Sequence, residues 1–384
     1  MLFYDIITKM KKKILFYTTR AVNPPWDEAS KNIAYNTALK IKNYTIILLT
    51  KRKMEPAPNQ SIEQFRAFDR DLMTWWVVLR TFGLRFQKQR IHAVHFFCNP
   101  TPFKTVAAKL IGGKNVKIIK TIPTLQTLKL EKNKLIKALE SNILIVYSEF
   151  TRKKLENIGV DNAKVIYPGV DTDKFSPGIA SHQTRKDLGI SSSDFTITYP
   201  GEYVRLGDTR TISAAIDIVS KKIDNMRFII ACRTRSKEDK EHKLRLKKHF
   251  DSIGLDNKII FAETVPDMPS LFRLSSVVIF PAEKMVTAKF VLPLTIIEAM
   301  SCSRPVILSD IPELKELHRK HSSLIIAPGD SERLAQQILF IYKNPEKAQQ
   351  IGRSARKFAI DNFNLERMAK QQNKLYSSLF EGHQ

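Results

Sequence analysis

Val277-Val278-Ile279-Phe280, then Pro293-Leu294-Thr295-Ile296-Ile297-Glu298-Ala299-Met300-Ser301-Cys302, then Val306-Ile307-Leu308-Ser309, read as one unit. Two short, continuous apolar runs flank a segment of helix length. Runs of this kind suit strands buried on both faces of a parallel sheet. The segment between them suits the crossover helix, with Pro293 in its first turn, where a missing N–H costs nothing.

The same alternation extends in both directions. Phe195 to Tyr199, Arg227 to Ala231, Lys258 to Phe261 and Leu324 to Ile326 are further strand runs. Thr209 to Ser220, Lys237 to Ser252 and Ser331 to Tyr342 are helix-length segments between them. Upstream, Ile14 to Thr18, Thr45 to Leu49, Val94 to Phe97, Val116 to Ile119, Ile143 to Tyr147 and Lys164 to Tyr167 form an earlier series of strands. Their helices are Glu28 to Ile41, Phe103 to Ile111 and Phe150 to Ile158. The polar stretch Ile179 to Arg185 reads as a linker. The expected organisation is α/β: two doubly wound parallel-sheet domains, residues 1–178 and 186–361, with a ligand crevice at the strand carboxyl ends. The strandless tail, about 362–384, is expected to be helical and to pack back on the first domain.

The chain has 384 residues, with 63 basic against 38 acidic and a formal charge of +25. Residues 1–180 hold 31 of the basic and 14 of the acidic residues, so the excess is concentrated there. A field of that sign attracts anions: phosphorylated substrates, anionic lipid or nucleic acid. Nucleic acid is disfavoured, because the lysines are scattered and no reading motif is present. A hydrophobic content of 43% excludes a disordered chain. Cys98, Cys232 and Cys302 lie too far apart in sequence for a disulfide framework or a CxxC metal site. No apolar run approaches the ~20 residues of a membrane span. Residues 1–10 lack the pattern of a secretory signal, so the expected location is the cytosol or the cytosolic face of a membrane.

Three segments carry chemistry. At the start of the helix after Pro293, the N–H groups of Leu294 and Thr295 and the helix dipole form an anion site. Glu298, one turn further in, is placed to accept from a diol, and Lys289 to neutralise a phosphate; the plain alternative is a capped helix with a solvated glutamate. The second segment, Pro200-Gly201-Glu202-Tyr203-Val204-Arg205, follows a strand. It brings Arg205 to a strand carboxyl end, where a guanidinium chelates phosphate oxygens. Arg210 sits in the following helix and reads as a surface residue. The third is Pro168-Gly169-Val170-Asp171-Thr172-Asp173-Lys174-Phe175. Its Asp171-Thr172-Asp173 is similar to a metal-holding triplet, but no third hard oxygen ligand stands nearby.

In this order and spacing the three segments resemble the GT-B-fold glycosyltransferases of the large retaining family 4. The resemblance spans nearly the whole chain. It implies a GT-B fold: two Rossmann-like domains with an interdomain cleft, an acceptor-binding first domain, a donor-binding second domain and a C-terminal helix crossing back. It implies transfer of a hexose from a nucleotide sugar, UDP- or GDP-linked, to a glycan or lipid-linked acceptor in surface glycan or glycolipid synthesis, with retention and with neither metal nor cofactor. By the resemblance, Glu298 lies on the donor ribose, and Arg205 and Lys289 on the diphosphate. Gly201, Glu202, Pro293, Leu294 and Thr295 line the donor, and Thr264 and Val265 hold the base. Pro25, Trp26, His95 and Thr121 are the acceptor-side expectations; for His95 a packed, hydrogen-bonded role stands beside the functional one.

The chain departs from the family pattern at several positions. Phe290 stands where the first of two paired glutamates is usual, and Glu202 follows Gly201 in place of an arginine. Asn23 to Glu28 replaces a Gly-Gly loop, and Lys120 to Thr124 lacks a histidine, while Lys289 to Pro293 fits a Lys-x-x-x-Pro form of the donor loop. A nucleotide-sugar 2-epimerase of the same architecture and a non-catalytic nucleotide-sugar binder are the competing readings. Trp75, Trp76, Leu79, Phe82 and Phe86, interleaved with Arg80, Arg85 and Lys88, form an aromatic and basic segment that suits either a bilayer interface or the sheet.

Overall fold

The computed structural model describes residues 11–381 apart from 25–27, 55–58, 70–76, 78, 82–89, 123–130, 205–207, 283–291 and 319–320. The chain divides into two units, each built on its own parallel sheet.

The first unit contains β1 (Lys13–Thr18), α1 (Ala29–Lys40), β2 (Thr45–Thr50), β3 (Ile62–Arg66), β4 (Ile91–Phe97), α2 (Pro102–Gly112), β5 (Lys117–Ile122), α3 (Lys132–Leu139), β6 (Ile143–Val146), α4 (Glu149–Glu156) and β7 (Ala163–Val165). The strand order is β3-β2-β1-β4-β5-β6-β7, and every pairing is parallel. Alternate residues of the central strands face opposite sides. Leu15, Tyr17, Val94 and Phe96 pack with Ala108 and Ile111 of α2. Phe16, His95 and Phe97 stack with one another on the other face.

Local chemistry sets the helix ends. The Glu28 carboxylate accepts from the N–H groups of Ser30 and Lys31 at the start of α1. Pro102 opens α2, and Gly113 closes it at φ +84°, a conformation that favours glycine. Lys120 of β5 is buried, and its three ammonium donors reach Thr105 Oγ1 at 2.7 Å, Ala138 O at 2.8 Å and Glu140 O at 2.7 Å. One strand side chain therefore holds α2 beside the end of α3. Burial pulls that ammonium down to about 8, so it is charged at neutral pH with every donor used.

The second unit contains α5 (His182–Asp187), β8 (Phe195–Tyr199), α6 (Thr209–Ser220), β9 (Met226–Ile230), α7 (Lys237–Ser252), β10 (Ile259–Phe261), α8 (Met268–Leu274), β11 (Val277–Phe280), α9 (Leu294–Ser301), β12 (Val306–Ser309), β13 (Leu324–Ile326), α10 (Ser331–Lys343) and α11 (Pro345–Phe363). Its order is β10-β9-β8-β11-β12-β13, again all parallel. Asn364 is extended and ends α11, and the last helix, α12 (Leu365–Glu381), belongs to the first unit.

Two features depart from the sequence reading. The stretch 179–185, read as a linker, carries α5, capped by Ser181 Oγ accepting from Thr184 N–H at 3.1 Å. Residues 170–178, placed at the end of the first domain, pack on the second unit. The Ser301 hydroxyl donates to Phe175 O at 2.6 Å, Arg273 Nε donates to Ser176 O at 2.9 Å, and Phe175 lies against Phe272. A parallel bridge joins Val170 to Asn364, so the second unit opens and closes at adjacent points. Among the described residues, no helix is long and apolar enough to cross a membrane.

Candidate functional site

In the second sheet the winding reverses between β8 and β11. Crossovers leave those two strands in opposite directions, which opens a crevice at their carboxyl ends. Three hydrogen bonds brace that edge. Asp208 N–H donates to Pro281 O at 2.9 Å, which fixes the start of α6 beside the exit of β11. Ala282 N–H donates to Ser309 Oγ at 2.8 Å, linking the exits of β11 and β12. Thr295 Oγ1 donates to Pro200 O at 3.1 Å, drawing the first turn of α9 to the exit of β8.

Helix α9 therefore starts at the switch point. Pro293 is its N-cap, at φ −65° and ψ 112°, one position earlier than a first-turn proline. A proline side chain cannot cap, and no side chain caps this helix start among the described residues. Ile296 N–H turns back to Pro293 O at 3.1 Å. The N–H groups of Leu294 and Thr295 head the turn and carry the positive end of the helix dipole. Four residues on, Glu298 is only partly exposed. Burial pushes its carboxyl up to about 7, and the Lys174 ammonium nearby offsets part of that rise. A carboxyl poised near neutrality beside a helix start that no described side chain caps suits an incoming diol and anion.

The loop after β8 is shaped by one close approach. A Cβ on Gly201 would stand 2.2 Å from the Tyr199 ring, so only glycine fits there. The Tyr199 hydroxyl donates to Glu202 O at 2.8 Å and holds the loop down. Thr264 is exposed after β10, while Val265 packs into the cluster with Ile229, Ile260 and Leu271. Thus the structure brings Pro200, Gly201 and Glu202 together with Pro293, Leu294, Thr295 and Glu298. Arg205, Lys289, Pro25 and Trp26 lie outside the described residues.

The remaining acceptor-side expectations come out differently. His95 and Thr121 are fully buried. His95 Nε2 lies 2.6 Å from Thr121 Oγ1, and Nδ1 lies 2.6 Å from the Tyr376 hydroxyl of α12. Both ring nitrogens are partnered inside the first unit, so these side chains tie strands to the last helix and offer no atom to a ligand. Asp171, the first acid of the triplet, accepts from the N–H groups of Asp173 and Lys174 at 3.2 and 3.0 Å and closes a turn. Among the described residues no three acidic, histidine or cysteine side chains are grouped to hold a metal ion. Lys174 is the residue that sequence reasoning missed. Its signal was its place in the Asp171–Phe175 turn, which Ser301 and Arg356 bind back to the second unit.

Two Rossmann-like parallel-sheet units, with a helix start at the switch point of the second, define the GT-B class of glycosyltransferase folds. Residues 181–358, most of the second unit, match the family model described as glycosyl transferases group 1. Solved structures of similar fold include a glycosyltransferase from Rickettsia africae at 19% identity, covering 97% of this chain and 99% of that one, TM-score 0.74. Sucrose-phosphate synthase from Thermosynechococcus elongatus is 18% identical over 97% of this chain and 100% of its own, TM-score 0.76. Anabaena HepE, solved in complex with UDP and glucose, is 17% identical over 96% and 100%, TM-score 0.71. No curated protein matches the chain.

Proposed function

We propose that the chain is a nucleotide-sugar-dependent glycosyltransferase whose second unit grips the donor diphosphate at the start of α9. The observation that carries this reading is the Thr295–Pro200 bond, which holds a helix start that no described side chain caps against the exit of β8, with Glu298 one turn inside it. The family match over residues 181–358 and the UDP and glucose bound by HepE support a nucleotide-linked hexose as donor.

In this reading the Leu294 and Thr295 N–H groups receive the distal phosphate, and Glu298 accepts from the ribose hydroxyls. Arg205 and Lys289 add positive charge as the diphosphate leaves. Stabilising that developing charge is the main catalytic term and requires no metal. The bond from the anomeric carbon to the diphosphate oxygen breaks. A new bond forms from that carbon to the acceptor oxygen on the same face, and the acceptor proton passes to the leaving diphosphate. Configuration is retained. The acceptor is a glycan or a lipid-linked sugar of a surface glycan pathway, and the enzyme works at the cytosolic face of a membrane.

The test is release of free nucleotide from UDP-glucose and related donors with and without a glycan or lipid-linked acceptor. Acceptor-dependent release with a new glycosidic bond is expected. Epimer interconversion without acceptor, or tight nucleotide binding with no turnover, contradicts it.

A further inference from the structure

The exposed large apolar side chains of the first unit, among the described residues, are five: Leu79, Phe103, Val106, Leu110 and Ile136. All five lie on one side of its sheet. The connections from β3 to β4, β4 to β5 and β5 to β6 run in one direction across the sheet, and right-handed crossovers put them on one face. Val77, two residues before Leu79, shares a buried cluster with Ala108 and Ile111 of α2, so these segments are neighbours. Phe103, Val106 and Leu110 follow a helical spacing on the outer side of α2. Val106 is 53% exposed and Leu110 47%, while Ala108 and Ile111, on the inner side, are buried. Lys120 ties α2 to the end of α3 from below, so Ile136 of α3 extends the same face on a fixed support.

The charge on the two helices is positive, with Glu131 and Glu140 standing only at the ends of α3. Helices α2 and α3 contain lysines and no acidic residue. Lys109, Lys114, Lys132 and Lys137 are exposed along and beside them. A contiguous group of exposed apolar side chains marks an interaction surface. Long lysine stems lie along apolar surface while their ammonium groups reach a phosphate layer. An acidic protein groove would also match the charge, but apolar side chains flanked by exposed lysines on the outer side of two helices match an anionic lipid surface better.

We propose that the α2–α3 face docks on an anionic lipid bilayer, with Val106, Leu110, Phe103 and Ile136 entering the headgroup region and the four lysines on lipid phosphates. This deepens the functional reading by bringing the first unit to the surface where a lipid-linked acceptor resides. It needs neither donor nor transfer, so it stands or falls separately.

The full chain is sedimented with vesicles of phosphatidylcholine alone and with vesicles containing about a quarter phosphatidylglycerol, an anionic content that recruits basic surfaces. Binding is expected only to the anionic vesicles, and about 0.5 M salt weakens it by screening. Val106→Asp/Leu110→Asp and, separately, Lys109→Glu/Lys132→Glu/Lys137→Glu each lower the bound fraction roughly tenfold. Leu244→Asp, at a 54% exposed apolar position of the second unit, leaves it unchanged. Nucleotide-induced thermal stabilisation, measured on the same samples, reports folding and the donor site independently. Should the aspartate pair unfold the protein, Val106→Ser/Leu110→Ser takes its place. No vesicle binding by the wild type, undiminished binding by the variants, or a dimer that the same variants abolish would each overturn the proposal.

Discussion

His95 on β4 and Tyr376 on α12 are 281 residues apart in sequence, yet their Nδ1 and Oη atoms lie 2.6 Å apart in the core of the first unit. Their rings meet edge to face at 5.8 Å between centroids, and Tyr44 packs edge to face on Tyr376 from the α1 side. The last helix is therefore anchored by a buried polar contact at the centre of the sheet, supported at its rim by the Lys40–Glu366 ion pair. Tyr376→Phe keeps the ring and strips the hydroxyl, which leaves His95 Nδ1 buried without a partner. A loss of about 1–3 kcal/mol is expected for such an orphaned group. Urea unfolding of the variant measures it, and an unchanged midpoint would show that the contact contributes nothing.

Acid should release the same anchor. Burial pushes the His95 imidazole from its ordinary 6.5 down to about 3, so the folded protein keeps it neutral. The unfolded chain takes up the proton first as pH falls. The stabilisation is fully present above about 6.5 and declines from there toward 3. Urea midpoints measured from pH 7 to 4 should fall more steeply for the wild type than for His95→Asn. Parallel pH slopes would contradict a buried neutral imidazole.

Glu298 works in the opposite sense. Its carboxyl is raised from 4.5 to about 7 by burial, so the folded state favours the protonated form. Its contribution is complete below 4.5 and disappears as pH rises to about 7. Glu298→Gln removes this dependence and should be more stable than wild type at pH 8 by about 3 kcal/mol. Nucleotide binding should release protons, because ribose hydroxyls donate to the ionised form. Calorimetry in buffers of different ionisation enthalpy reads that release, and heats that do not vary with the buffer would remove Glu298 from the donor.

At Gly201 the side chain is excluded by Tyr199. Gly201→Ala forces its Cβ against a buried ring held by the Glu202 carbonyl. A cost of about 1–3 kcal/mol is expected from overpacking, together with weaker nucleotide binding. Thermal unfolding with and without UDP separates the two effects, and wild-type behaviour in both would show that the loop can open freely.

Much of the architecture is legible in the chain. Strands such as Ile143–Val146 and Val277–Phe280 are buried on both faces and read as unbroken apolar runs. β3 gives no such signal: Ile62–Arg66 is an edge strand with Glu63, Gln64 and Arg66 half in water. The limits of the second unit were hidden for a different reason. Residues 170–178 are held there by Arg273, Ser301 and Arg356, contacts that no local pattern encodes. The helix start at Pro293 and the glutamate one turn on were legible because a proline's preference for a helix start and the spacing along a helix are local. The partnership of His95 with Tyr376 was not, since only the fold brings the last helix to β4.

The central claim is that the start of α9 holds a nucleotide diphosphate. Isothermal titration of the full chain with UDP, GDP, ADP and their glucose conjugates tests it most directly. The account predicts saturable one-to-one binding of at least one of them, weakened about tenfold or more in Glu298→Ala, as for loss of a charge-assisted hydrogen bond. Absence of binding across the series, or equal affinity in the wild type and the alanine variant, would contradict it.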